Sequence, residues 1–186
     1  MKYFIGHLIE GEAANWHESI ARDISDKFDT WKLHEKIPPH ITIFYPFSKE
    51  DISSLVNFLQ NWVAKRNVPG EFSILDFGHF EDRVVFAKID VPHPIKNIVV
   101  QLQDELQKFP DMPHEEFPNW HPHATLANRL SSQEIDQIWT YVQTLKKPNF
   151  SLPFNNVTLF RFEGDMKWVV ERTFRFKEKG DSHRFF

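Results

Sequence analysis

Apolar positions change period several times along the chain, and each change marks an element. "KYFIGHLIE" alternates closely enough for a strand, and "GEAANWHESIARDISDKF" then puts Trp16, Ile20, Ile24 and Phe28 at four-residue steps, which predicts an amphipathic helix. Pro38 and Pro39 force extended backbone into a second strand, "ITIFYPF". Ser48 to Lys65 reads as a second helix, with Ser48 as its N-cap, Asp51 three residues on, and Ile52, Leu55, Val56 and Leu59 on its apolar face. Two strands follow, "EFSILDFGHF" and "RVVFAKIDVP", with a turn at Glu81 and Asp82. A helix from Pro94 to Phe109 carries Ile95, Ile98, Val99, Leu102 and Leu106.

The proline-rich stretch "PDMPHEEFPNWHP" leads into another strand, "HATLANRL". Ser131 then caps a helix running to Lys146, with Glu134 in the capping-box position. "FNNVTLFRFEGDMKWVVERTFRFK" is a hairpin turned near "EGD", and "EKGDSHRFF" is a loosely docked tail. One alternation of strands and helices occurs twice, which predicts an α+β fold of two lobes of similar design. No Gly/Ser linker divides them, so residues 1–176 are expected to form one bilobal domain and residues 177–186 a C-terminal tail.

Composition narrows the function. The chain has 186 residues and 41% hydrophobic content, as expected of a globular protein. In "MKYFIGHLIEGE" one Lys precedes a short apolar run that His7 and Glu10 interrupt, too short for a signal peptide or a spanning helix, so the chain is read as cytoplasmic and free of membrane. It has no Cys, which fits a reducing compartment and removes thiolate catalysis and cysteine metal sites. A net charge of -4 argues against gripping long nucleic acid over a broad basic face; a small ligand or an RNA end remains open. Nineteen Phe, six Trp and three Tyr are assigned mostly to core packing. The chain is read as a monomer.

Two segments nearly repeat each other. Pro39, His40, Thr42 and Ile43 match Pro122, His123, Thr125 and Leu126, 83 positions apart (123 − 40). Side chains two apart on a strand share a face, so His40, Thr42 and Phe44 fall together, as do His123, Thr125 and Ala127, opposite apolar partners that can face a core. If the lobes pack about a pseudo-two-fold axis, two His and two Thr meet across a cleft. Such a set suits in-line displacement at phosphorus. One neutral imidazole takes a proton from the attacking oxygen and a protonated one gives a proton to the leaving oxygen. The hydroxyls donate to the non-bridging oxygens. No metal or other cofactor is required.

On these motifs the chain resembles the two-histidine phosphoesterase superfamily, which includes bacterial 2'-5' RNA ligase-like proteins and RNA 2',3'-cyclic phosphodiesterases. The resemblance extends over the order of elements through residues 1–176. It implies a bilobal α+β fold with a cleft between two mainly antiparallel sheets, His40 and His123 as the acid/base pair, and Thr42 and Thr125 as phosphate-binding hydroxyls. Many RNA-acting relatives continue the second motif as His-x-Thr-Leu-Ala-Arg, whereas Asn128 stands where that Arg would be. Arg129, one place on, falls on the His123 face if the strand continues and is a solvated turn residue if it does not. Phe44 and Arg129 are carried as further substrate-contacting candidates. Trp120, Trp31 and Trp168 are candidates to stack a base or to pack at the rim.

The expected substrate is a nucleotide-like phosphodiester, above all a 2',3'-cyclic phosphate on a nucleotide or RNA end, with 2'-5' ligation as the reverse reaction. The rival is a non-catalytic binder of a phosphorylated metabolite or RNA terminus; two complete motifs argue for catalysis, because a binder could discard either imidazole. A metal hydrolase built on His121 and His123 lacks a carboxylate or third His at a compelling spacing. His7, His34, His79 and His114 have no motif around them and are read as surface or loop residues.

Overall fold

A computed structural model describes residues 1–80, 83–110, 112–113 and 120–178. In chain order the elements are β1 (Lys2–Leu8), α1 (Gly11–Phe28), β2 (His40–Ser48), α2 (Ser53–Ala64), β3 (Glu71–Phe80) and β4 (Val84–Asp90). They continue with α3 (His93–Leu106), β5 (His123–Ala127), α4 (Ser132–Val142), β6 (Phe150–Pro153), β7 (Asn156–Gly164) and β8 (Lys167–Arg175). The strands form two four-stranded sheets, β2-β1-β7-β8 and β5-β4-β3-β6, with every pairing antiparallel. The fold class is therefore α+β with two antiparallel sheets, as the sequence predicts.

The helices are exchanged between the sheets. α1 joins two strands of the first sheet but lies against β5 of the second, where Trp16 meets Phe77 of β3 and Phe150 of β6 at ring-centroid distances of 6.0 and 5.6 Å. α3 joins two strands of the second sheet but lies against β2 of the first. Its Gln103, 2% exposed, donates from Nε2 to the Ile43 carbonyl at 2.8 Å. α2 rests on β7 and β8, and α4 on β3 and β4. One continuous apolar cluster results, drawing Ile5, Ile41 and Phe174 from one sheet and Phe72, Val85 and Leu126 from the other. Burial of such side chains is worth about 1.5–3 kcal/mol each, which is why the amphipathic pattern prevails.

Several expected boundaries move. Ser48 does not cap a helix: it closes the β1–β2 ladder opposite Lys2, and α2 begins at Ser53, whose amide donates to Asp51 Oδ1 at 2.8 Å. The short strand β6, which pairs with β3, has no expected counterpart. Within β2 the pairing slips, since Gly6 stands opposite Thr42 and Ile5 opposite Phe44, leaving Ile43 as the extra residue of a bulge. Beyond the bulge the faces invert. Phe44 is wholly buried and packs against Phe47, while Tyr45 turns outward at 51% exposure. The assignment of Phe44 to the His40 face, and with it to substrate contact, is corrected accordingly: strict alternation holds only as far as Ile43.

The capping box of α4 forms as expected, with Ser131 Oγ accepting from the Glu134 amide and the Ser131 amide donating to Glu134 Oε2. The closing hairpin turns through Asp165 and Met166, both left-handed. Pairing continues to Lys177, which bridges to Asn67 beside α2. The expected turn at Glu81 and Asp82, His114, and residues 179–186 of the expected tail lie outside the described residues. Among the described residues, no helix is long and apolar enough to cross a membrane.

Candidate active site

β2 and β5 are the outermost strands of their sheets, and they lie side by side. The two motifs have the same burial: His40 and Thr42 half-buried between buried Ile41 and Ile43, His123 and Thr125 half-buried between buried Ala124 and Leu126. Trp120, just ahead of β5, donates from Nε1 to the Thr42 carbonyl at 2.8 Å and ties one motif to the other.

Each imidazole is held in the same way. His40 Nδ1 donates to the Pro38 carbonyl at 2.8 Å, and His123 Nδ1 donates to the His121 carbonyl at 2.8 Å. A carbonyl only accepts, so Nδ1 carries hydrogen in both rings and each neutral ring keeps its lone pair on Nε2. The proline-led segments before both strands supply these carbonyls two residues upstream. The same bond in both rings leaves Nε2 to other partners.

Each ring also rests on two phenylalanines from the neighbouring strands of its own sheet. His40 lies against Phe4 of β1 and Phe160 of β7, at 4.9 and 5.3 Å between centroids, and those two rings stack at 4.4 Å. His123 lies against Phe86 of β4 and Phe80 of β3, both at 5.1 Å, and those rings are 4.6 Å apart. Two glycines make room. A Cβ on Gly6 would stand 2.9 Å from the Ile41 carbonyl oxygen and 3.2 Å from Phe160, and one on Gly78 would stand 2.5 Å from Phe86.

Burial drives both pKa values down. His40 is lowered to about 4, chiefly by desolvation and further by His123, against the opposing pull of the Pro38 carbonyl. The residue as a whole is half-buried, and the direction follows the dense protein around it. His123 is lowered by desolvation and by His121, against the His121 carbonyl. Of the two, His40 is the more strongly held neutral.

The other expected residues are dispersed. β5 ends at Ala127, and Arg129 follows in a left-handed bend with φ 62°, so it is not a strand residue. Its guanidinium returns over the Trp31 ring, 4.7 Å from the centroid, with Nη2 3.6 Å from Met166 Sδ. Asn128 has a buried Oδ1 with no hydrogen-bond partner among the described residues. Trp168 packs edge-on against Phe4 at 5.0 Å. His7 is a core residue rather than a surface one: it is 2% exposed, its Nδ1 donates to the Asn156 carbonyl, and it stacks on Phe154 at 4.4 Å. No group of three or more His, Asp or Glu among the described residues is arranged to hold a metal ion.

His17 escaped the sequence reading. It is 5% exposed on α1, and the helix periodicity drawn through Trp16 and Ile20 passes beside it. Its signal is the parallel stripe Ala13, His17, Ala21, Ile24, a histidine framed by two small residues at helical spacing, all of which are buried. Burial and the proximity of His40 lower its pKa to about 4, while the Ala124 and Thr125 backbone pulls the other way. Neither ring nitrogen closes a hydrogen bond of normal geometry with a described residue.

Comparison with known proteins follows the same lines. The family model of the 2'-5' RNA ligase superfamily matches residues 10–166. A protein of Staphylococcus aureus strain JH1 that carries the name of a phosphoesterase is 29% identical over 149 residues, covering 77% of this chain and 84% of its own. Among solved structures, a Thermus thermophilus protein superposes with a TM-score of 0.59 at 14% identity, over 96% of this chain and 100% of the other. Escherichia coli LigT complexed with 3'-AMP superposes with a TM-score of 0.58 at 15% identity, over 94% and 97%. LigT complexed with NADP+ gives 0.55 at 16% identity, over 94% and 97%. At such identities the superpositions speak for the fold.

Proposed function

The chain belongs to the 2'-5' RNA ligase superfamily, and from that premise we propose that it is a phosphoesterase that opens a 2',3'-cyclic phosphate on a nucleotide or RNA end, using two histidines and no metal. The observation that carries this reading is the repeated tautomer lock. Two imidazoles on adjacent strands each give Nδ1–H to a carbonyl two residues upstream and keep Nε2 for chemistry. A nucleotide-like substrate is supported by the relatives, since LigT is described in complex with 3'-AMP and with NADP+.

In the reaction we assign, His40, the ring more strongly favoured as neutral, is the general base and accepts a proton on Nε2. His123, protonated from solvent and stabilised as the imidazolium by the negative charge of the phosphate, gives its Nε2 proton to the departing ribose oxygen. Thr42 and Thr125 donate to the non-bridging oxygens, where the transition state gathers charge. Arg129, whose guanidinium lies over the Trp31 ring, is a further candidate to contact the substrate outside the reacting phosphate. The same proton transfers with a 5'-hydroxyl in place of the attacking water would form a 2'-5' bond as the 3' oxygen leaves phosphorus. Residues 1–176 act as one unit, because both lobes supply half of the site.

The deciding experiment incubates the protein in excess EDTA with 2',3'-cyclic mononucleotides, cyclic-phosphate-ended RNA, ADP-ribose 1'',2''-cyclic phosphate and 2'-5'-linked oligonucleotides, and resolves the products by regioisomer. Turnover of at least one cyclic phosphate in EDTA is expected. Binding without turnover would make the protein a phosphate-end binder, and loss of turnover on chelation would make it a metal hydrolase.

A further inference from the structure

We propose that Lys88 sets the substrate class of this site: its ammonium holds a second phosphate, the one carried on the 5' oxygen of the ribose that His123 faces. The inference rests on the cyclic-phosphate reading and on His123 as the acid of that reaction. The ladders give both motif histidines a partner at the same place. Leu8 of β1 stands directly opposite His40, and Gly6 opposite Thr42; Lys88 of β4 stands directly opposite His123, and Phe86 opposite Thr125. Directly opposed residues share a face of the sheet, with Cβ atoms about 4.5–5.5 Å apart. Phe86, two positions before Lys88 on the same strand, marks that face, because His123 rests on its ring at 5.1 Å. The half-sites are thus alike in register and unlike in charge: a half-buried leucine beside one imidazole, an exposed lysine beside the other.

The charge of Lys88 is not taken up by its neighbours. Its partner on the other side of β4 is Asp76 of β3, a carboxylate already engaged: Lys147 Nζ donates to Oδ2 at 2.8 Å and the Phe77 amide to Oδ1 at 2.9 Å. Of the groups that hold this carboxyl below its usual range, the Lys147 hydrogen bond leads and Lys88 comes last. Lys88 closes no hydrogen bond or ion pair with a described residue. A lysine ammonium on its flexible stem is a compact point charge, suited to a phosphate whose exact orientation it need not fix. Its place beside His123 decides which phosphate. His123 gives its proton to a ribose oxygen, so the ribose lies on the His123 side of the reacting phosphorus. The 5' carbon of that ribose is farther out on the same side, and in an RNA end or a 5'-phosphorylated nucleotide it carries a phosphate. Leu8, beside the base His40, has no charge to offer an anion.

The test measures kcat/KM for uridine 2',3'-cyclic phosphate and for the same nucleotide carrying a 5'-phosphate, in wild type, Lys88→Met and Lys88→Arg, at low and raised salt. Lys88 is exposed and Met keeps most of its stem, so both variants are expected to melt near wild type. Wild type is expected to favour the 5'-phosphorylated nucleotide about five- to tenfold, the scale of one charge contact in a water-open cleft, and raised salt is expected to shrink that ratio. Lys88→Met should bring the ratio close to unity, and Lys88→Arg should keep most of it. A wild type that turns over both nucleotides equally would overturn the inference while leaving the cyclic-phosphate reading in place. So would a ratio unchanged in Lys88→Met, whether or not both rates fall, and so would loss of the fold in both variants, which assigns Lys88 to the sheet alone. A wild type that turns over neither nucleotide would sink the functional reading itself, and this inference with it.

Discussion

Thr42 and Thr125 occupy half-buried strand positions where a methyl would serve packing as well as a hydroxyl does. Thr→Val at either keeps the β-branched shape and removes only the donor, so the melting temperature should hold. Turnover should fall by about 10- to 10³-fold, the lower figure applying where water can substitute for the donor. His40→Gln or His123→Gln should cost more than either, because the proton-transfer group itself is gone. A folded Thr42→Val/Thr125→Val double variant with full activity would show that the phosphate is held elsewhere. The two histidines also set a pH profile. His40 must be neutral, so kcat/KM should fall as pH drops through about 4. His123 must be protonated and its pKa is lowered from 6.5, so kcat/KM should also fall as pH rises toward and past 6.5. The pair should therefore give a bell with its maximum on the acid side of 6.5, and a profile flat from pH 5 to 9 would remove these groups from the proton traffic.

At the scale of the element, each motif strand works because its neighbours give the imidazole a floor. Gly78→Ala tests that floor. The new Cβ would meet Phe86 at 2.5 Å, and Phe86 is only 4% exposed, so its ring must move, and His123 lies against it. Overpacking of this kind costs about 1–3 kcal/mol. Thermal denaturation should show that loss together with a fall in kcat; a stable Gly78→Ala protein of normal activity would mean that Phe86 does not hold His123 in place. Much of this scale was legible beforehand. Both motif strands, the faces of His40 and Thr42, and the Ser131–Glu134 box follow from local pattern. What stayed hidden depends on partners distant in sequence. The bulge at Ile43 arises from pairing with β1, and it sends Phe44 inward. The stop at Ala127 takes Arg129 off the strand, and the Phe pairs under the histidines come from strands up to 120 positions away from their ring (160 − 40).

For the molecule as a whole, buried histidines couple folding to pH. His7 and His17, 2% and 5% exposed, each titrate near 4 in the folded state and near 6.5 when unfolded. The unfolded chain therefore binds more protons between those values. Stability contributed by the two is fully present above pH 6.5 and is lost as pH falls toward 4, at a slope of up to about 3 kcal/mol per pH unit for two protons. Urea midpoints measured from pH 7 to 4.5 should decline accordingly, and His17→Leu should flatten part of the decline; a midpoint independent of pH would contradict the burial of both rings. The two-lobed α+β plan was readable from the repeated order of elements, because each has a clear period. Which sheet each helix covers was not, because an amphipathic face says that a surface is buried and nothing about whose surface buries it.

That exchange of helices has a mechanical consequence. Since α1 leaves the first sheet to lie on the second and α3 makes the opposite journey, each lobe is braced by a strut rooted in the other. A hinge needs a few residues about which two bodies can swing, whereas here rotation of one sheet would drag a packed helix of the other with it. The distance between His40 and His123 is thus set when the chain folds rather than when substrate arrives. The protein is built as a fixed jaw, and in the proposed reaction the width of that jaw, rather than its closure, would select the phosphate.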